Sequence, residues 1–476
     1  MSSVSDSAFT SYEPTVAPVA ATHIGSPRRF FIETYGCQMN FNDSEIIASV
    51  LSAEGFQLTT DCQQADVVLL NTCSIRENAE QRVRARLSEF QSLKRHNPGV
   101  LVGILGCMAE RLKAKLLEEE HIVDLVVGPD AYRSLPQLIA RAESGQKAVN
   151  VLLSREETYA DISPVRLASN GVTAFISIMR GCNNMCSFCV VPFTRGRERS
   201  RPPASILSEA RQLFDSGYRE VTLLGQNVDS YRWEDPATHA VVTFAQLLDQ
   251  VASVHSELRI RFSTSHPKDI TDDVLSVMAD HPNICRNIHL PVQSGSSAVL
   301  QRMFRTYDAD WYRRKVDRIR EYLPDCAIST DIIVGFCGET EDDHRQTLEM
   351  MDYVRYHQAF MFRYSERPGT YAARHFPDDV PDAVKSRRLQ EVIQLQNAHQ
   401  LQRNREQIGK IHHVLVEGPS RRSPQQLAGR NSQNQMIVFD ARQALKGRYV
   451  QVKAVSCTSA TLIGTLCPEP TKHLND

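Results

Sequence analysis

Three cysteines in one short loop constrain this chain more than any other feature of its 476 residues. Cys182, Cys186 and Cys189 follow a strand-like apolar run at 175–179, and their loop holds no fourth cysteine and no histidine. An iron–sulfur cube takes one thiolate on each of its four irons, so three thiolates leave one iron open to a small molecule. A zinc site would need a fourth, distant ligand, and a redox dithiol is a further alternative. The spacing favours an iron–sulfur site with an open iron.

A second set of three cysteines stands at the ends of predicted strands near the N-terminus. The apolar runs at 30–35, 66–70 and 100–105 are followed by Cys37, Cys73 and Cys107, with helical stretches between them. Strands that alternate with helices predict a parallel sheet with helices on its faces. Ligand sites in such sheets lie beyond the carboxyl ends of the strands, so these thiols should meet at one edge. Three unrelated core cysteines are the alternative.

Composition limits the partners and the compartment. The net charge of −2 gives no global field that would attract nucleic acid, so RNA contact must come from local basic patches. No apolar run approaches the ~20 residues that span a bilayer. Residues 1–28 lack a charged start and a long apolar centre, which predicts a disordered tail and not a signal peptide. Because many of the 12 cysteines look like ligands, we expect a reducing cytosol and no disulfide framework.

The pattern along the chain predicts an α/β protein with three structured parts. We expect an N-terminal parallel-sheet domain at 29–150 and a core at 168–405, joined by a linker rich in Ser, Pro and Gly. The core carries six strand–helix units, too few for a closed eight-stranded barrel, so it suits a partial (β/α)6 barrel open on one side. Short alternating segments at 407–470 predict a small all-β barrel.

Residues from about 29 to about 465 resemble the methylthiotransferases, a branch of the radical S-adenosylmethionine enzymes. The resemblance rests on the segments TYGCQMN (34–40), NTCSIRENA (71–79), LLGQNV (223–228), RFSTSHP (261–267) and YSERPGT (364–370). The segment after Cys73 resembles the type that acts on isopentenyladenosine in tRNA more than the types that act on ribosomal protein S12 or on threonylcarbamoyladenosine. One departure is Cys337, where the family has proline, and we do not expect it to be a ligand.

The resemblance implies two [4Fe–4S] clusters and S-adenosylmethionine. Cys37, Cys73 and Cys107 would hold an auxiliary cluster, and the cysteines of the 182–189 loop would hold the radical cluster, with no catalytic residue beyond these ligands. One S-adenosylmethionine would initiate the radical, a second would supply a methyl group, and the auxiliary cluster would deliver sulfur to C2 of the adenine. The terminal barrel would be an RNA-binding TRAM domain. The implied partners are tRNA carrying isopentenyladenosine and a low-potential electron donor of the flavodoxin or ferredoxin type; we predict a monomer with no membrane contact.

The same resemblance suggests residues that touch the cofactor. Phe188 would pack near the adenine, with ordinary core packing as the alternative. The other candidates stand at strand ends, where polar groups often serve a site but can also cap a loop. Gly225, Gln226 and Asn227 would hold the methionyl end. Those at later strand ends, which would touch cofactor or substrate, are His289, Gln293, Ser294 and Asp331.

Two groups of arginines are candidates for RNA contact. Arg195, Arg197, Arg199 and Arg201 alternate just after the loop, and an extended backbone would place them on one face that binds phosphates. The second group, in the terminal barrel, consists of Arg421, Arg422 and Arg430. Pairing with acidic neighbours, or a merely solvated face, is the alternative for both groups.

Two other functions stay open from the sequence. The chain could be a methylthiotransferase for another tRNA base or for a ribosomal protein, which the segment after Cys73 argues against. It could also be a non-catalytic iron–sulfur protein that binds RNA. Two complete three-cysteine sets weigh against that reading, because a purely structural metal site would be expected to close its fourth position.

Overall fold

The computed structural model describes residues 27–73, 77–113, 115–167, 170–441 and 444–468. All of the predicted tail at 1–28 except its last two residues lies outside that part. Within the described ranges, no helix is both long enough and apolar enough to cross a membrane.

The N-terminal domain is a parallel sheet with helices on both faces, as predicted. Its strand order is β2-β1-β3-β4-β5-β6. The central strands are continuous apolar runs because each face is covered by its own hydrophobic core. The strands are β1 (Arg29–Tyr35), β2 (Gln57–Leu58), β3 (Val67–Thr72), β4 (Leu101–Gly106), β5 (Leu125–Val127) and β6 (Ala148–Asn150). The helices are α1 (Gln38–Ala53), α2 (Glu77–His96), α3 (Cys107–Leu112), α4 (Lys115–Glu119) and α5 (Leu135–Glu143).

Two local features set the bounds of the helices in this domain. Helix α1 begins at Gln38, directly after its N-cap residue Cys37. Helix α3 ends at Leu112, because the next residue, Lys113, has a φ of 53° that is incompatible with a continuous right-handed helix. The strands β2 and β6 add two members to the predicted sheet.

The core is the incomplete barrel that the sequence predicts. Two three-stranded parallel sheets, β13-β10-β7 and β14-β15-β16, are connected through a bridge between Ile260 and Ile284. The strands are β7 (Thr173–Ser177), β8 (Met179–Arg180), β9 (Arg199–Ser200), β10 (Glu220–Leu224), β11 (Arg232–Glu234), β12 (Val241–Thr243), β13 (Arg259–Ser263), β14 (Asn287–His289), β15 (Ala327–Val334) and β16 (Gln358–Arg363). The helices are α6 (Val191–Arg195), α7 (Pro203–Asp215), α8 (Phe244–Ala252), α9 (Asp272–Asp280), α10 (Ser297–Arg302), α11 (Ala309–Tyr322), α12 (Glu341–Val354), α13 (Tyr371–His375) and α14 (Asp382–Arg405).

The C-terminal segment forms a closed five-stranded barrel with the order β17-β18-β19-β21-β20. Its strands are β17 (Ile411–Ser420), β18 (Ser423–Arg430), β19 (Met436–Asp440), β20 (Tyr449–Cys457) and β21 (Leu462–Leu466). Arg261 of the core fixes it in place: its guanidinium donates to the carbonyls of Asn431 (2.7 Å) and Ser432 (3.2 Å) and to Glu220 (2.9 Å). The small barrel is therefore bound to the core by a buried, charged contact.

Candidate functional site

The three strand-end cysteines of the N-terminal domain converge at one edge of the sheet. The register ends β1, β3 and β4 at the same level, so Cys37, Cys73 and Cys107 follow side by side. A Cβ atom added to Gly36 would lie 2.6 Å from the Cβ of Cys73. Glycine at that position is what allows the ends of β1 and β3 to come this close together.

The three thiols differ in acidity because helix N-termini, hydrogen bonds and burial act on them to different extents. Cys37 caps α1 and Cys107 begins α3, and helix N-termini favour a negative sulfur. A hydrogen bond from the Cys73 thiol, opposed by burial, lowers the pKa of Cys37 to about 6. Burial raises the pKa of the Cys107 thiol. The thiol of Cys37 is thus more acidic than that of Cys107, and the site would release its protons on binding metal.

Each of the three sulfurs of the 182–189 loop accepts from an N–H donor of the surrounding protein. Burial raises the pKa of Cys182 to about 11 and that of Cys189 to about 12, so both are protonated until metal binds. Three donors face the sulfurs: the backbone of Asn184 on Cys182 (3.4 Å), Nη1 of Arg305 on Cys186 (3.3 Å) and the backbone of Val191 on Cys189 (3.4 Å). Such N–H···S contacts favour the deprotonated, metal-bound form of a sulfur ligand.

The middle of the loop is fastened to the opposite half of the barrel. The Ser187 backbone donates to the carbonyl of Met303 (3.0 Å) and its hydroxyl to that of Arg302 (2.7 Å). Phe188 packs edge-on against Phe336, with ring centroids 6.3 Å apart, beside a small apolar cluster. Contact between Phe188 and an adenine stays a prediction.

Buried polar atoms that lack a hydrogen-bond partner among the described residues lie near the carboxyl ends of β10 and β14. They are Oε1 of Gln226 and Oε1 of Gln293. Asp229 and Ser265, which follow β10 and β13, are buried in the same region and interact with each other. Burial, and then the charge of Asp269, raises the pKa of Asp229 to about 7, although the interaction with Ser265 lowers it. Because buried polar groups are nearly always hydrogen-bonded, this set indicates a place for a polar ligand. Gln226 and Gln293 were predicted. Asp229 and Ser265 were missed, although Asp229 lies only two residues beyond Asn227.

Two of the other predicted cofactor residues have polar partners within the protein itself. The amide of Asn227 donates to Asp269 (2.7 Å) and accepts from the His266 backbone (3.0 Å). Ser294 is fully buried, with its hydroxyl 3.3 Å from that of Thr347 on α12. Their cofactor contacts stay predictions, and the described bonds suit residues that shape the loops around the site.

Gly225, His289 and Asp331 surround the same strand ends. A Cβ on Gly225 would lie 2.6 Å from Cγ of Met179, so a side chain there would displace the residue that leads into the cysteine loop. Asp331 lies 3.4 Å from Nε2 of His289. Asp331 lies within β15, and not at its end as the sequence had suggested. The ligand contacts of these three residues stay predictions.

Three of the four alternating arginines are not on the surface. Arg195, Arg199 and Arg201 are buried, and the prediction of one extended, exposed face is wrong for them. Arg195 ends the helix α6, whereas Arg199 lies in β9, so the backbone between them is not one strand. Each guanidinium is instead paired with a carboxylate: Arg195 with Asp43, Arg199 with Asp130 and Arg201 with Glu209. Arg197 is exposed, and its RNA contact stays a prediction.

A buried ion-pair network joins the two cysteine sites. Asp43 of α1 accepts from Nη1 of Arg180 and from Nη2 of Arg195, both at 2.8 Å. Burial alone would raise the pKa of Asp43, but the two guanidinium groups hold it below its usual value. Nε of Arg195 also donates to the sulfur of Cys107 at 3.2 Å. The helix that follows the 182–189 loop therefore contacts the auxiliary site directly.

The arginines of the terminal barrel differ in their surroundings. Arg421 and Arg422 are exposed in the turn between β17 and β18. Arg430 donates to both carboxylate oxygens of Glu417 at 2.7 Å. Arg421 and Arg422 are therefore better placed than Arg430 to meet an external phosphate.

Comparisons with known families match each part of the chain. The profile described as "Uncharacterized protein family UPF0004" matches residues 29–128, that of the Radical SAM superfamily matches 176–351, and that of the TRAM domain matches 405–467. A tRNA-2-methylthio-N(6)-dimethylallyladenosine synthase of Amoebophilus asiaticus (strain 5a2) is 60% identical over 92% of this chain and 93% of its own length. The Phocaeicola vulgatus protein of the same name is 52% identical over 95% of this chain and 99% of its own length. This chain belongs to that family.

A solved structure supports the fold of this family member. The radical S-adenosylmethionine methyltransferase TsrM of Kitasatospora setae, solved with cobalamin and a [4Fe–4S] cluster bound, has a TM-score of 0.53 over 73% of this chain and 74% of its own. At 14% identity, this likeness concerns the fold alone.

The residues present fit the family's iron–sulfur clusters and S-adenosylmethionine. Each cysteine set supplies three thiols and leaves one position for a small molecule. Among the described side chains, no group of three His, Cys, Asp or Glu is arranged to hold a single metal ion. The orphaned oxygens of Gln226 and Gln293 lie at the strand ends that follow the radical loop and suit the polar end of an amino-acid-like ligand.

Proposed function

We propose that this chain is a radical S-adenosylmethionine methylthiotransferase that converts N6-isopentenyladenosine next to the anticodon of tRNA into its 2-methylthio derivative. One observation carries the proposal. Two three-thiol sites lie at the carboxyl edges of two parallel sheets, and Arg195 connects them, because it ends the helix after one site and contacts Cys107 of the other. A reaction that activates a carbon at one cluster and transfers sulfur from another needs this proximity.

The cofactors supply the chemistry when bound: the radical cluster with S-adenosylmethionine provides a hydrogen-abstracting radical, and the auxiliary cluster provides sulfur. The protein's residues bind and orient. Six cysteines hold the irons, and N–H donors from Asn184, Val191 and Arg305 support the radical-cluster ligands. Gln226 and Gln293 offer oxygens without a described partner to the polar groups of cofactor or substrate, and Asp229 lies beside them. Around them, the buried strand ends keep water from the reactive centre.

The terminal barrel provides a place for the tRNA. Buried contacts from Arg259 and Arg261 to backbone carbonyls of the barrel fix it on the core. Arg421 and Arg422 then stand at a defined position relative to the site and would bind phosphates of the anticodon arm. Arg197, exposed near the radical loop, would add a contact closer to the reacting base.

The remaining partners follow from the chemistry. Radical initiation consumes one electron, so we include a low-potential donor of the flavodoxin or ferredoxin type. We further propose a monomer that works in the cytosol. All 12 cysteines are free thiols in the structure, which suits a reducing compartment and oxygen-sensitive clusters.

Anaerobic reconstitution tests the proposal. The protein is loaded with iron and sulfide, supplied with S-adenosylmethionine, a strong reductant and tRNA bearing isopentenyladenosine, and its nucleosides are analysed by mass spectrometry. We expect a nucleoside heavier by one methylthio group, with release of 5′-deoxyadenosine. The matched substrate control is the same tRNA without the isopentenyl group.

Two variants separate the sites. Cys182→Ala should abolish both products. Cys107→Ala should keep cleavage of S-adenosylmethionine and lose the methylthio product. If the loaded wild-type protein cleaves S-adenosylmethionine but yields no modified nucleoside, the proposed tRNA substrate would be wrong. Failure to produce either product, with both clusters present, would favour a non-catalytic RNA-binding protein.

A further inference from the structure

In the part of the chain that the structure describes, each cysteine set is contacted by a guanidinium group from outside its own loop or strand ends. Arg195, at the end of α6, donates through Nε to the sulfur of Cys107 at 3.2 Å. Arg305, in the segment after α10, donates through Nη1 to the sulfur of Cys186 at 3.3 Å. The two sites thus share an arrangement, one arginine on one ligand sulfur, although they lie in different domains.

The Arg195 guanidinium carries a donor that the protein leaves unused. Its Nη2 is bound to Asp43, whereas its Nη1 is buried and has no hydrogen-bond partner. Such an orphaned donor is costly, because burial removes its water without replacing it. An acceptor on the bound cluster, a sulfide or a sulfur atom on the open iron, would satisfy it.

The charges around Arg195 also call for a further anion. Three guanidinium groups, those of Arg180, Arg195 and Arg199, share two buried carboxylates, Asp43 and Asp130. One positive charge is therefore in excess inside the contact between the two domains. Buried charge is tolerated when it is paired, and three thiolates around a [4Fe–4S] cluster supply the missing negative charge.

Arg305 is held in a fixed orientation. Its Nε donates to the hydroxyl of Tyr307 at 2.9 Å and its Nη2 to the carbonyl of Pro291 at 3.1 Å. Among the residues that the structure describes, no carboxylate lies within salt-bridge distance of this guanidinium. The sulfur of Cys186 is the anionic group it meets when that thiol is a metal ligand. Arg305 is only partly buried, so solvent weakens its field compared with that of Arg195.

We propose that Arg195 and Arg305 are the counter-charges of the auxiliary and the radical cluster, respectively, and that each raises the reduction potential of its own cluster. Neither residue reacts. A reduced cluster carries one more negative charge than an oxidised one, so a nearby cation and a hydrogen bond to a ligand sulfur stabilise the reduced form. The inference rests on the proposed function, in which each set of three cysteines holds a [4Fe–4S] cluster.

Potentiometric titration followed by electron paramagnetic resonance tests this in holoprotein that retains one cluster. Triple alanine variants of 182/186/189 keep only the auxiliary cluster, and those of 37/73/107 keep only the radical cluster. Into each background we place Arg195→Gln, Arg305→Gln and the control Arg199→Gln. Arg199 is buried in the same network, but its described bonds go to Asp130 and to backbone carbonyls, not to a cysteine.

The expected result is a separation of the two effects. Arg195→Gln should shift the reduction equilibrium of the auxiliary cluster at least tenfold toward the oxidised form, about 59 mV for one electron, and leave the radical cluster unchanged. Arg305→Gln should shift only the radical cluster, in the same direction and by a smaller factor. Arg199→Gln, which contacts no cysteine, should shift the auxiliary cluster by a clearly smaller factor than Arg195→Gln and leave the radical cluster unchanged. Lysine at 195 or 305 should give potentials between those of wild type and the glutamine variant.

Three results would overturn the inference: unchanged potentials in both glutamine variants, a shift of the wrong cluster, or an equal shift with Arg199→Gln. Iron and sulfide content and thermal unfolding are measured on every variant. Where a glutamine variant does not retain its cluster, the neutral methionine variant is titrated instead, and a wild-type potential there overturns the inference. Backgrounds that bind no cluster at all, although folded, would instead contradict the proposed function.

Discussion

Asp43 and Arg195 form a 2.8 Å ion pair between residues 152 positions apart in the chain. Asp43 belongs to the helix that Cys37 caps, and Arg195 ends the helix that follows Cys189. The pair therefore ties the auxiliary site to the radical site. Sulfur transfer requires the two sites to keep a fixed relative position. By stabilising the contact between the two domains, this ion pair would support the reaction.

Asp43→Ala should destabilise the protein strongly. It leaves Arg180 and Arg195 without the carboxylate they share, and an uncompensated buried charge costs about 3–5 kcal/mol. Urea unfolding of the metal-free protein at neutral pH measures the loss. Glu349→Gln, which removes an exposed partner of Arg345, is the control and should change stability by less than about 0.5 kcal/mol. Equal unfolding midpoints for Asp43→Ala and wild type would contradict the role of this network.

Asp229→Asn should stabilise the protein at pH 8 while impairing its reaction. The pKa of Asp229 is raised by burial to about 7, so the native state binds a proton that the unfolded state releases near pH 4. The contribution of this carboxyl group to the free energy of unfolding is complete below about pH 4 and is lost as the pH rises through about 7. Asparagine removes that loss, so its stabilising effect should grow from pH 4 to pH 8 in thermal unfolding scans. A gain that does not depend on pH would show that the carboxyl group does not titrate as described.

Arg421→Gln together with Arg422→Gln should weaken tRNA binding and make it less sensitive to salt. Each phosphate contact that is lost lowers the slope of log affinity against log salt by about 0.7–0.9. Fluorescence anisotropy with labelled tRNA at several salt concentrations measures both quantities. Arg430→Gln, which disrupts a pair with Glu417, is the comparison and should have a smaller effect on the slope. A slope equal to that of wild type in the double variant would remove the turn at 421–422 from the RNA surface.

Arg261→Ala should loosen the terminal barrel from the core. The variant loses bonds to two backbone carbonyls of the barrel and leaves buried Glu220 with only the longer contact to Arg259, at 3.9 Å. Hydrogen exchange should become faster in strands of the barrel, whereas the N-terminal sheet should keep its protection. Arg232→Ala, at an exposed position, is the control. Unchanged exchange throughout the barrel would mean that other contacts suffice to hold it.

The place of the six cysteines in the fold could be predicted from the sequence because their geometry is local. A strand followed at once by a cysteine places that thiol at the edge of a parallel sheet, and this holds for Cys37, Cys73 and Cys107 once the strands pair in register. The same reasoning found Gln226 and Gln293 at the ends of core strands. It missed Asp229 and Ser265, because their importance lies in being buried together next to these strand ends, which no sequence pattern records.

The sequence by itself determined the main strand–helix alternation, the partial barrel, the small terminal barrel and the positions of both sets of three cysteines, since strand periodicity and cysteine spacing depend on a few neighbouring residues. Only the tertiary structure decided what the arginines do. Arg195, Arg199 and Arg201 are spaced as residues of an RNA-binding face would be. Yet Arg195 and Arg199 are buried and paired with Asp43 and Asp130, which are distant in the sequence. A charge on a chain has no fixed role until folding brings a counter-charge to it, and that partner is set by long-range packing.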